Sequence, residues 1–320
     1  MSIQSHIGAI AALYNDGGLK STLRKWWNFS GSYSFDSRST GASGLVLIVA
    51  GHKPRLWPMV FPRFNRFLPQ GWDVCLVVPG KKDPVLEEIA ERYGWSLLAT
   101  RANKLGLAQN HAVRLHPHAE YLCKLDEDIF ISHGFLEGLF ETLEEAEAGG
   151  LHRPGFVAPI LNVNGFTSRL FLEELGQLRA FEEKFGVLPS GCFNSPAWGD
   201  PEAAAFLWKI LIPFDEVAKR FAAASSRASI CHHRFSIGAI LLRRAVWKSM
   251  EGFSVSAPGV LGAEEGDLCA WCVEHSRAMV IAHRVLVGHA GFQPQVASLL
   301  PLLENRADLA LQPAIPHPHG

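Results

Sequence analysis

Residues 121–128 read Tyr-Leu-Cys-Lys-Leu-Asp-Glu-Asp, a mostly apolar run that passes directly into three carboxylates. The apolar part has the length and composition of a buried strand. Alternation along a strand places the side chains of Asp126 and Asp128 on one side and that of Glu127 on the other. Three neighbouring carboxylates repel one another, so leaving them at the end of a buried strand is costly without a cation.

Hard divalent cations such as Mn²⁺ and Mg²⁺ bind carboxylate oxygens and keep open positions for phosphate. The segment therefore predicts a divalent-metal site at Asp126 and Asp128. An acidic turn on a solvated surface is the alternative interpretation, and the sequence leaves it open.

The same strand-and-helix pattern extends to both sides of this segment. Strands are predicted at residues 45–50, 73–78, 95–99, 121–125, 156–161, 236–242 and 278–287, with helices between most of them. This alternation predicts an α/β fold, with a Rossmann-like, mostly parallel sheet flanked by helices and a helical insert. In such sheets ligands bind beyond the carboxyl ends of the strands. At these strand ends, the polar run 51–53 follows the first strand, 80–83 follows the second and 126–128 follows the fourth.

Composition excludes several classes of protein. Apolar residues make up 48% of the 320 residues, charged residues 19%, and the net charge is −1, so a nucleic-acid partner is not expected. The six cysteines do not resemble a secreted disulfide framework. No signal-peptide pattern and no apolar run of bilayer length occurs in the sequence, which predicts a cytoplasmic protein.

A short basic and aromatic segment near the N-terminus has two interpretations. It contains Lys20, Arg24, Lys25, Trp26 and Trp27. The segment is either a solvated helix packed on the domain by its tryptophans, or a contact with a lipid-linked or anionic acceptor at a membrane surface. The second interpretation would place the protein peripherally at the inner face of the membrane.

Three further segments accompany Asp126-Glu-Asp128 in chain order: Asn103-Lys-Leu-Gly-Leu-Ala-Gln-Asn110, Gly262-Ala-Glu-Glu-Gly-Asp-Leu268 and Val287-Gly-His-Ala-Gly-Phe292. Together the four segments resemble the GT-A glycosyltransferases, particularly the family-2-like members. The resemblance extends over roughly residues 45–292, apart from the insert. It implies a GT-A fold and transfer of a sugar from a nucleotide donor to an acceptor hydroxyl, with Mn²⁺ or Mg²⁺ as cofactor.

The resemblance also implies roles for single residues. Asp128 would bind the metal on the donor diphosphate, His289 would complete its coordination, and Asp126 would bind the ribose or the metal through water. Glu265 occupies the place of the catalytic base, where the family usually has Asp, and Glu264 and Asp267 lie beside it as alternatives. These three carboxylates would also simply stabilise the first turn of a helix through its dipole.

The remaining candidate residues form two groups. Donor-binding candidates besides Asp126 and Asp128 are Gly51, His52, Asp83, Asn103, Gly106, Asn110 and Glu127. Candidates that face the acceptor or the diphosphate are His232, His233 and Arg234.

Five parts of the chain are expected from these patterns. They are an N-terminal helical or loop extension (1–44), a nucleotide-sugar donor-binding half (45–164), a helical insert on the acceptor side (165–230), an acceptor-side half with the catalytic helix and the metal-binding histidine (231–300), and a C-terminal tail (301–320).

The predicted activity is inverting transfer from a UDP- or GDP-type sugar to a glycan or lipid-linked acceptor, in bacterial surface glycan synthesis. Departure of the diphosphate requires charge neutralisation, and attack by a hydroxyl requires a base. Two alternatives remain. A sugar nucleotidyltransferase is one, because residues 49–58 resemble a Gly-rich phosphate loop, and a catalytically inactive sugar- or nucleotide-binding relative is the other.

Overall fold

The computed structural model describes residues 26–80, 82–150, 153–189, 195–223, 228–255, 262–291, 293–304, 306 and 309. Several predictions fall outside them. These concern the basic residues Lys20, Arg24 and Lys25, the rest of residues 1–25, Lys81, residues 190–194 and 224–227 of the insert, Phe292 and the end of the tail from residue 310.

Ten strands are present in the described part of the chain. Their bounds are β1 Tyr33–Asp36, β2 Gly44–Val49, β3 Asp73–Pro79, β4 Ser96–Thr100, β5 Tyr121–Asp126, β6 Ile129–Phe130, β7 Pro154–Leu161, β8 Ala228–Cys231, β9 Ala239–Arg243 and β10 Ala278–His289. They form one sheet in the order β1-β4-β3-β2-β5-β9-β7-β10-β6, and β8 also pairs with β10.

Strand directions follow the predicted α/β pattern. Strands β2, β3, β4 and β5 are parallel neighbours, and β7 and β10 run in the same direction beyond the antiparallel strand β9. Strands β1, β6 and β8 pair antiparallel at the margins. The predicted mostly parallel sheet flanked by helices is therefore confirmed.

Helices cover the sheet and build the insert. Their bounds are α1 Trp57–Phe67, α2 Pro84–Tyr93, α3 Leu105–Leu115, α4 Phe135–Ala148, α5 Thr167–Glu174, α6 Leu178–Phe185, α7 Pro201–Leu211, α8 Phe214–Ala222, α9 Arg244–Ser249, α10 Ala263–Glu274 and α11 Gln293–Glu304. A short 3-10 helix spans Pro196–Trp198. Within the described ranges, none of these helices is both long enough and apolar enough to cross a membrane.

Burial of the central strands explains why they could be recognised from sequence. Every residue of β2 and of β7 is buried, and β5 is buried from Leu122 to Leu125. Strands covered on both faces read as continuous apolar runs rather than as alternating ones. Their burial supplies much of the hydrophobic stabilisation of the domain.

The N-terminal extension contributes to the sheet. Strand β1 pairs with β4, from Tyr33 opposite Thr100 to Asp36 opposite Leu97. The chain then turns around Asp73, whose carboxylate accepts hydrogen bonds from the backbone N–H and the hydroxyl of Thr40 at 2.7 and 2.8 Å. The extension therefore covers what would otherwise be an exposed sheet edge.

The insert is joined to the core through a buried arginine. Arg63 on α1 is fully buried, and its guanidinium carbon lies 4.8 Å from the ring centroid of Phe214 on α8. Its Nε donates to the Ile131 carbonyl at 2.8 Å, and its Nη2 pairs with Asp215. Because this charge is paired and hydrogen-bonded, its burial fixes the insert against the sheet.

Candidate active site

The predicted carboxylates lie where β5 ends. Asp126 is the last residue of the strand, and its Oδ1 lies 2.7 Å from Nζ of Lys124. Lys124 is almost completely buried and also donates to the Ile237 carbonyl at 2.7 Å. Alternation puts Lys124 and Asp126 on one side of the strand, so this aspartate carries its own counter-ion.

Asp128 is more deeply enclosed, with only 1% of its surface exposed. Its Oδ2 lies 2.5 Å from Nζ of Lys53 and accepts the backbone N–H of Gly291 at 3.1 Å. Nε2 of His289 is 3.4 Å from the same oxygen. Burial would raise the pKa of Asp128, but the positive charges of His289 and Lys53 hold it well below its usual range.

The orientation of His289 is set by β7 and the residues after it. Its ring Nδ1 lies 3.0 Å from the Val163 carbonyl, and its backbone N–H donates to Oδ1 of Asn162 at 2.7 Å. A carbonyl can only accept, so Nδ1 carries a proton and Nε2 faces Asp128. Burial lowers the pKa of His289, and the Asp128 carboxylate reverses this so that the pKa is raised.

A neutral ring would direct the Nε2 lone pair at a carboxylate oxygen, which is unfavourable without a proton or a metal ion between them. This is the arrangement of a metal-binding histidine whose other nitrogen is held by a carbonyl. The carboxylate oxygens suit Mn²⁺ or Mg²⁺, and the imidazole nitrogen favours Mn²⁺ of the two.

A complete set of protein ligands is not assembled in advance. Within the described ranges, no three His, Cys, Asp or Glu side chains are grouped closely enough to hold a metal ion. Asp128 and His289 converge, whereas Asp126 is turned to Lys124. This fits an ion that binds through one or two carboxylates and takes its other ligands from phosphate and water.

Gly238, just before β9, leaves open the space between the candidate ligands. A Cβ atom there would lie 3.2 Å from Cδ1 of Ile129, 3.5 Å from Oδ2 of Asp126 and 3.7 Å from Nε2 of His289. The sequence analysis did not single out this glycine. Gly238 lies in a segment far along the chain from Asp126 and Asp128, so no pattern near these residues identifies it.

Glu127 points away from the two aspartates, as the alternation predicts. Its Oε2 accepts the N–H of Gly51 at 3.0 Å and of the Trp57 indole at 2.5 Å, and its Oε1 accepts the N–H of His52 at 2.8 Å. Both oxygens of this buried carboxylate thus hold the loop that follows β2.

Three carboxylates occupy the first turns of α10, in different surroundings. Glu264 is buried, and its Oε2 has no hydrogen-bond partner among the described residues. Burial raises the pKa of Glu264, and the nearby carboxylate of Asp126 adds to the rise. Asp267 is half-buried.

Glu265 is held in place by two donors. Its Oε1 accepts from Nε of Arg234 at 2.8 Å, and its Oε2 accepts the backbone N–H of Ile237 at 3.2 Å. The side chain of Glu265 is 17% exposed. Arg234, a predicted acceptor or diphosphate residue, therefore lies beside the predicted base.

The other two histidine candidates lie just before Arg234. His232 is exposed. Nδ1 of His233 lies 2.9 Å from the carbonyl of Arg234, and its ring packs against Phe166 with the centroids 5.6 Å apart.

The segment around α3 is engaged in packing. Nδ2 of Asn110 donates to the Phe253 and Asn28 carbonyls at 2.8 and 3.0 Å, and its Oδ1 accepts from the Phe253 N–H at 2.8 Å and the Trp247 indole at 3.0 Å. A Cβ at Gly106 would lie 2.2 Å from the Ser254 carbonyl oxygen. Both residues thus hold the turn at 251–254 against the helix.

The last two donor candidates lie after β3 and β4. Asp83 caps α2, its Oδ1 accepting the Val85 N–H at 2.9 Å. Asn103 is exposed, and a Cβ at Gly80 would lie 3.3 Å from its Cβ. These residues lie at the carboxyl edge of the sheet, on the side away from His289.

Lys124 was also missed by the sequence analysis. A signal for it existed, since a lysine in a buried strand, two residues before an aspartate on the same face, requires a partner. The carbonyl of Val163 and the amide of Asn162 carried no such signal.

No protein-family model matches the chain, and no curated protein matches it in sequence. Among solved structures it is similar to GalNAc-T7 with UDP, GalNAc and Mn²⁺, at 12% identity and a TM-score of 0.48. That match covers 83% of this chain and 48% of the other, so the chain spans about half the length of that protein.

It is also similar to the mannosyltransferase PcManGT from Pyrobaculum calidifontis in complex with GDP-Man and Mn²⁺. Here the identity is 13% and the TM-score 0.44, with 91% of this chain and 69% of the other covered. Identities this low bear on the fold alone, and function has to be inferred from the residues of the site.

Proposed function

We propose that the protein is a divalent-metal-dependent glycosyltransferase that uses a nucleotide-sugar donor. The observation that carries the proposal is the convergence of Asp128 and His289, whose Oδ2 and Nε2 lie 3.4 Å apart at the carboxyl edge of the sheet. Glu265 of α10 is linked to the same edge through Ile237, whose N–H it binds at 3.2 Å and whose carbonyl accepts from Lys124, the partner of Asp126, at 2.7 Å. Two catalytic requirements, a cation for the leaving group and a base for the acceptor, are thus met in one place.

Asp128 and His289 would hold the metal, and Asp126 would contact the ribose or a metal-bound water. When bound, the metal neutralises charge on the departing diphosphate. A side chain at position 238 would contact Asp126 and His289, so glycine there leaves room at the proposed donor site.

Glu265 is the proposed base of a direct, inverting displacement. It is reachable from solvent, whereas Glu264 is buried, and a base must meet an incoming acceptor hydroxyl. Arg234 and the Ile237 N–H orient its carboxylate. Glu264, whose raised pKa favours the neutral form, is the second candidate.

The loop after β2 argues against a sugar nucleotidyltransferase. The backbone N–H groups of Gly51 and His52 donate to Glu127, so they are not directed at a triphosphate. The N–H groups of a phosphate loop must face the phosphate instead.

We also propose that residues 165–230 shape the acceptor side. The indole of Trp208 on α7 donates to the His289 carbonyl at 3.0 Å, a contact between this segment and the strand that carries His289, which supports the proposal. UDP- or GDP-type donors, a glycan or lipid-linked acceptor and a role in bacterial surface glycan synthesis complete the proposal. The exposed indole of Trp26 would supply a peripheral membrane contact, whereas Trp27 anchors the segment to the domain, since its indole N–H donates to the Val255 carbonyl at 3.2 Å.

The test combines binding and turnover. Calorimetry with UDP and GDP, with and without Mn²⁺, should show affinity only with the metal, and a panel of UDP- and GDP-sugars should yield metal-dependent donor hydrolysis. Asp128→Asn should abolish both, and Asp36→Asn, at the opposite edge of the sheet, should abolish neither. If EDTA leaves affinity and turnover unchanged, the proposal fails.

Once a donor is identified, the base can be tested in the same assay. Glu265→Gln should lower turnover by about 10²–10⁴-fold, the usual contribution of one acid–base group, with donor affinity unchanged. Glu264→Gln is the matched comparison. Near-normal turnover of the Glu265 variant, or a retained anomeric configuration in the NMR spectrum of the product, would exclude this role.

A further inference from the structure

The ammonium group of Lys53 lies where a metal ion bound to Asp128 would be expected. Its Nζ lies 2.5 Å from Oδ2 of Asp128 and donates to the Gly291 carbonyl at 2.7 Å. The same Oδ2 of Asp128 also faces Nε2 of His289. The lysine side chain is 18% exposed and the aspartate 1% exposed, so the pair is largely shielded from water.

Simultaneous binding of an ammonium group and a divalent ion to Oδ2 of Asp128 is unfavourable. Two cations beside one carboxylate repel each other, and the repulsion is strong where water is excluded. A metal ion entering alone would also have to separate a shielded ion pair, which is costly while the lysine has no other anion to bind.

A nucleotide diphosphate removes this obstacle, because it brings its own negative charge. Lysine binds phosphate as a compact point charge on a flexible stem. Lys53 lies in the loop after β2, four residues beyond its last residue, Val49, at the edge of the sheet where the phosphates would lie. A side-chain rotation would therefore transfer its ammonium from Asp128 to phosphate oxygen.

The backbone around Lys53 is fixed, which confines the change to the side chain. Glu127 holds the N–H groups of Gly51 and His52. On the other side, the backbone N–H of Leu56 donates to the carbonyl of Lys53 at 3.0 Å.

We propose that Lys53 is an internal counter-ion that keeps the metal off Asp128 until a nucleotide diphosphate arrives. Metal and nucleotide binding then depend on each other, and Lys53 acts as a positioning residue. This inference rests on the proposed function, since it takes Asp128 and His289 as the metal-binding pair.

The experiment measures binding of Mn²⁺ alone, from the EPR signal of the free ion. Lys53→Met should bind Mn²⁺ at least about tenfold more tightly than the wild type, the factor that corresponds to 1.4 kcal/mol of relieved repulsion. Mn²⁺ should also raise the melting temperature of the variant, whose Asp128 has lost its partner, and leave that of the wild type unchanged. Lys248→Met, an exposed lysine on α9 at the opposite edge, should behave as the wild type.

Adding UDP or GDP provides the second arm. Either nucleotide should tighten Mn²⁺ binding to the wild type by a larger factor than to the variant, because only the wild type has an ammonium group that the phosphates draw away from Asp128. The coupling is reciprocal, so Mn²⁺ should tighten nucleotide binding by the same factor. If Lys53→Met does not fold, Lys53→Gln, whose amide can still donate to Asp128, replaces it. The wild-type protein must in any case bind Mn²⁺ at least about tenfold more weakly alone than with nucleotide, again 1.4 kcal/mol.

The outcomes separate the two proposals. Equal Mn²⁺ affinity of wild type and variant overturns the role of Lys53 and leaves the metal site intact. Nucleotide binding in EDTA that disappears in Lys53→Met would mean that the lysine replaces the metal, which also overturns the inference. No Mn²⁺ binding by any form, with or without nucleotide, defeats the proposed function itself.

Discussion

Replacing Glu127 with glutamine tests whether this carboxylate serves the fold of the loop or the donor. The buried carboxylate accepts three N–H groups, those of Gly51, His52 and the Trp57 indole. Glutamine keeps one acceptor oxygen and puts an NH₂ group in place of the other. If its oxygen takes the position facing Gly51 and Trp57, the amide N–H groups confront the N–H of His52.

The expected cost follows from these contacts. One charge-assisted hydrogen bond is lost, two become neutral and weaker, and a donor is left unpaired, which together lowers the free energy of unfolding by about 2–4 kcal/mol. That is a large fraction of the stability of a typical domain, which is about 5–15 kcal/mol.

Urea denaturation followed by tryptophan fluorescence gives the measurement, with the midpoint shifting and the slope unchanged. The control is Glu88→Gln, which removes an exposed ion pair with Arg92 and should cost about 0.5 kcal/mol or less. A change at Glu127 below about 1 kcal/mol would refute the structural role. Such a result combined with lost nucleotide affinity would return Glu127 to donor binding.

Three further substitutions test other parts of the site. Asn110→Ala removes four buried hydrogen bonds, two of them to Phe253, and should lower the unfolding free energy by about 2–4 kcal/mol, measured by the same denaturation. Gly266→Ala, in the interior of α10 where a Cβ meets nothing within 4 Å, should raise it by about 0.5–1 kcal/mol. Gly238→Ala should weaken Mn²⁺-dependent nucleotide binding in calorimetry, because the new methyl group lies 3.7 Å from Nε2 of His289, and should leave the melting temperature within a few degrees. Unchanged nucleotide affinity would contradict the role assigned to Gly238.

The central sheet could be predicted because its strands are buried on both faces. Runs such as residues 45–50 and 73–78 have no polar alternation that would confuse a strand with a surface segment. Strand β1 could not be found in this way. It alternates polar and apolar residues over Tyr33–Asp36 and depends on a distant edge, that of β4.

The second half of the chain was harder to read for a similar reason. Helix α11 contains Pro301, which breaks the helical pattern in the sequence, yet Leu299 and Leu303 are fully buried. Packing against α7 overrides local propensity there.

The roles predicted for the site residues stay predictions, and the structure adds partners that the sequence did not indicate. The sequence brought Asp128 and His289 into one hypothesis although 161 positions separate them, and the structure places them side by side. The sequence alone could not reveal that Glu127 and Asn110 form their hydrogen bonds with other residues of the protein. Those partners come from segments up to 143 positions away, which no local pattern encodes.

The two aspartates of the Asp-x-Asp segment differ in how firmly their charge is already compensated. The lysine of Asp126 is part of strand β5 and is fixed a second time by the Ile237 carbonyl, so its ammonium cannot leave without breaking a buried contact. The lysine of Asp128 extends from a loop, and among the described residues it donates, besides the carboxylate, to the carbonyl of Gly291. An incoming cation therefore meets one carboxylate that is permanently neutralised and one whose counter-ion can be exchanged. This asymmetry favours Asp128 as the direct metal ligand and leaves Asp126 to act through hydrogen bonds, the division of roles that the resemblance implied.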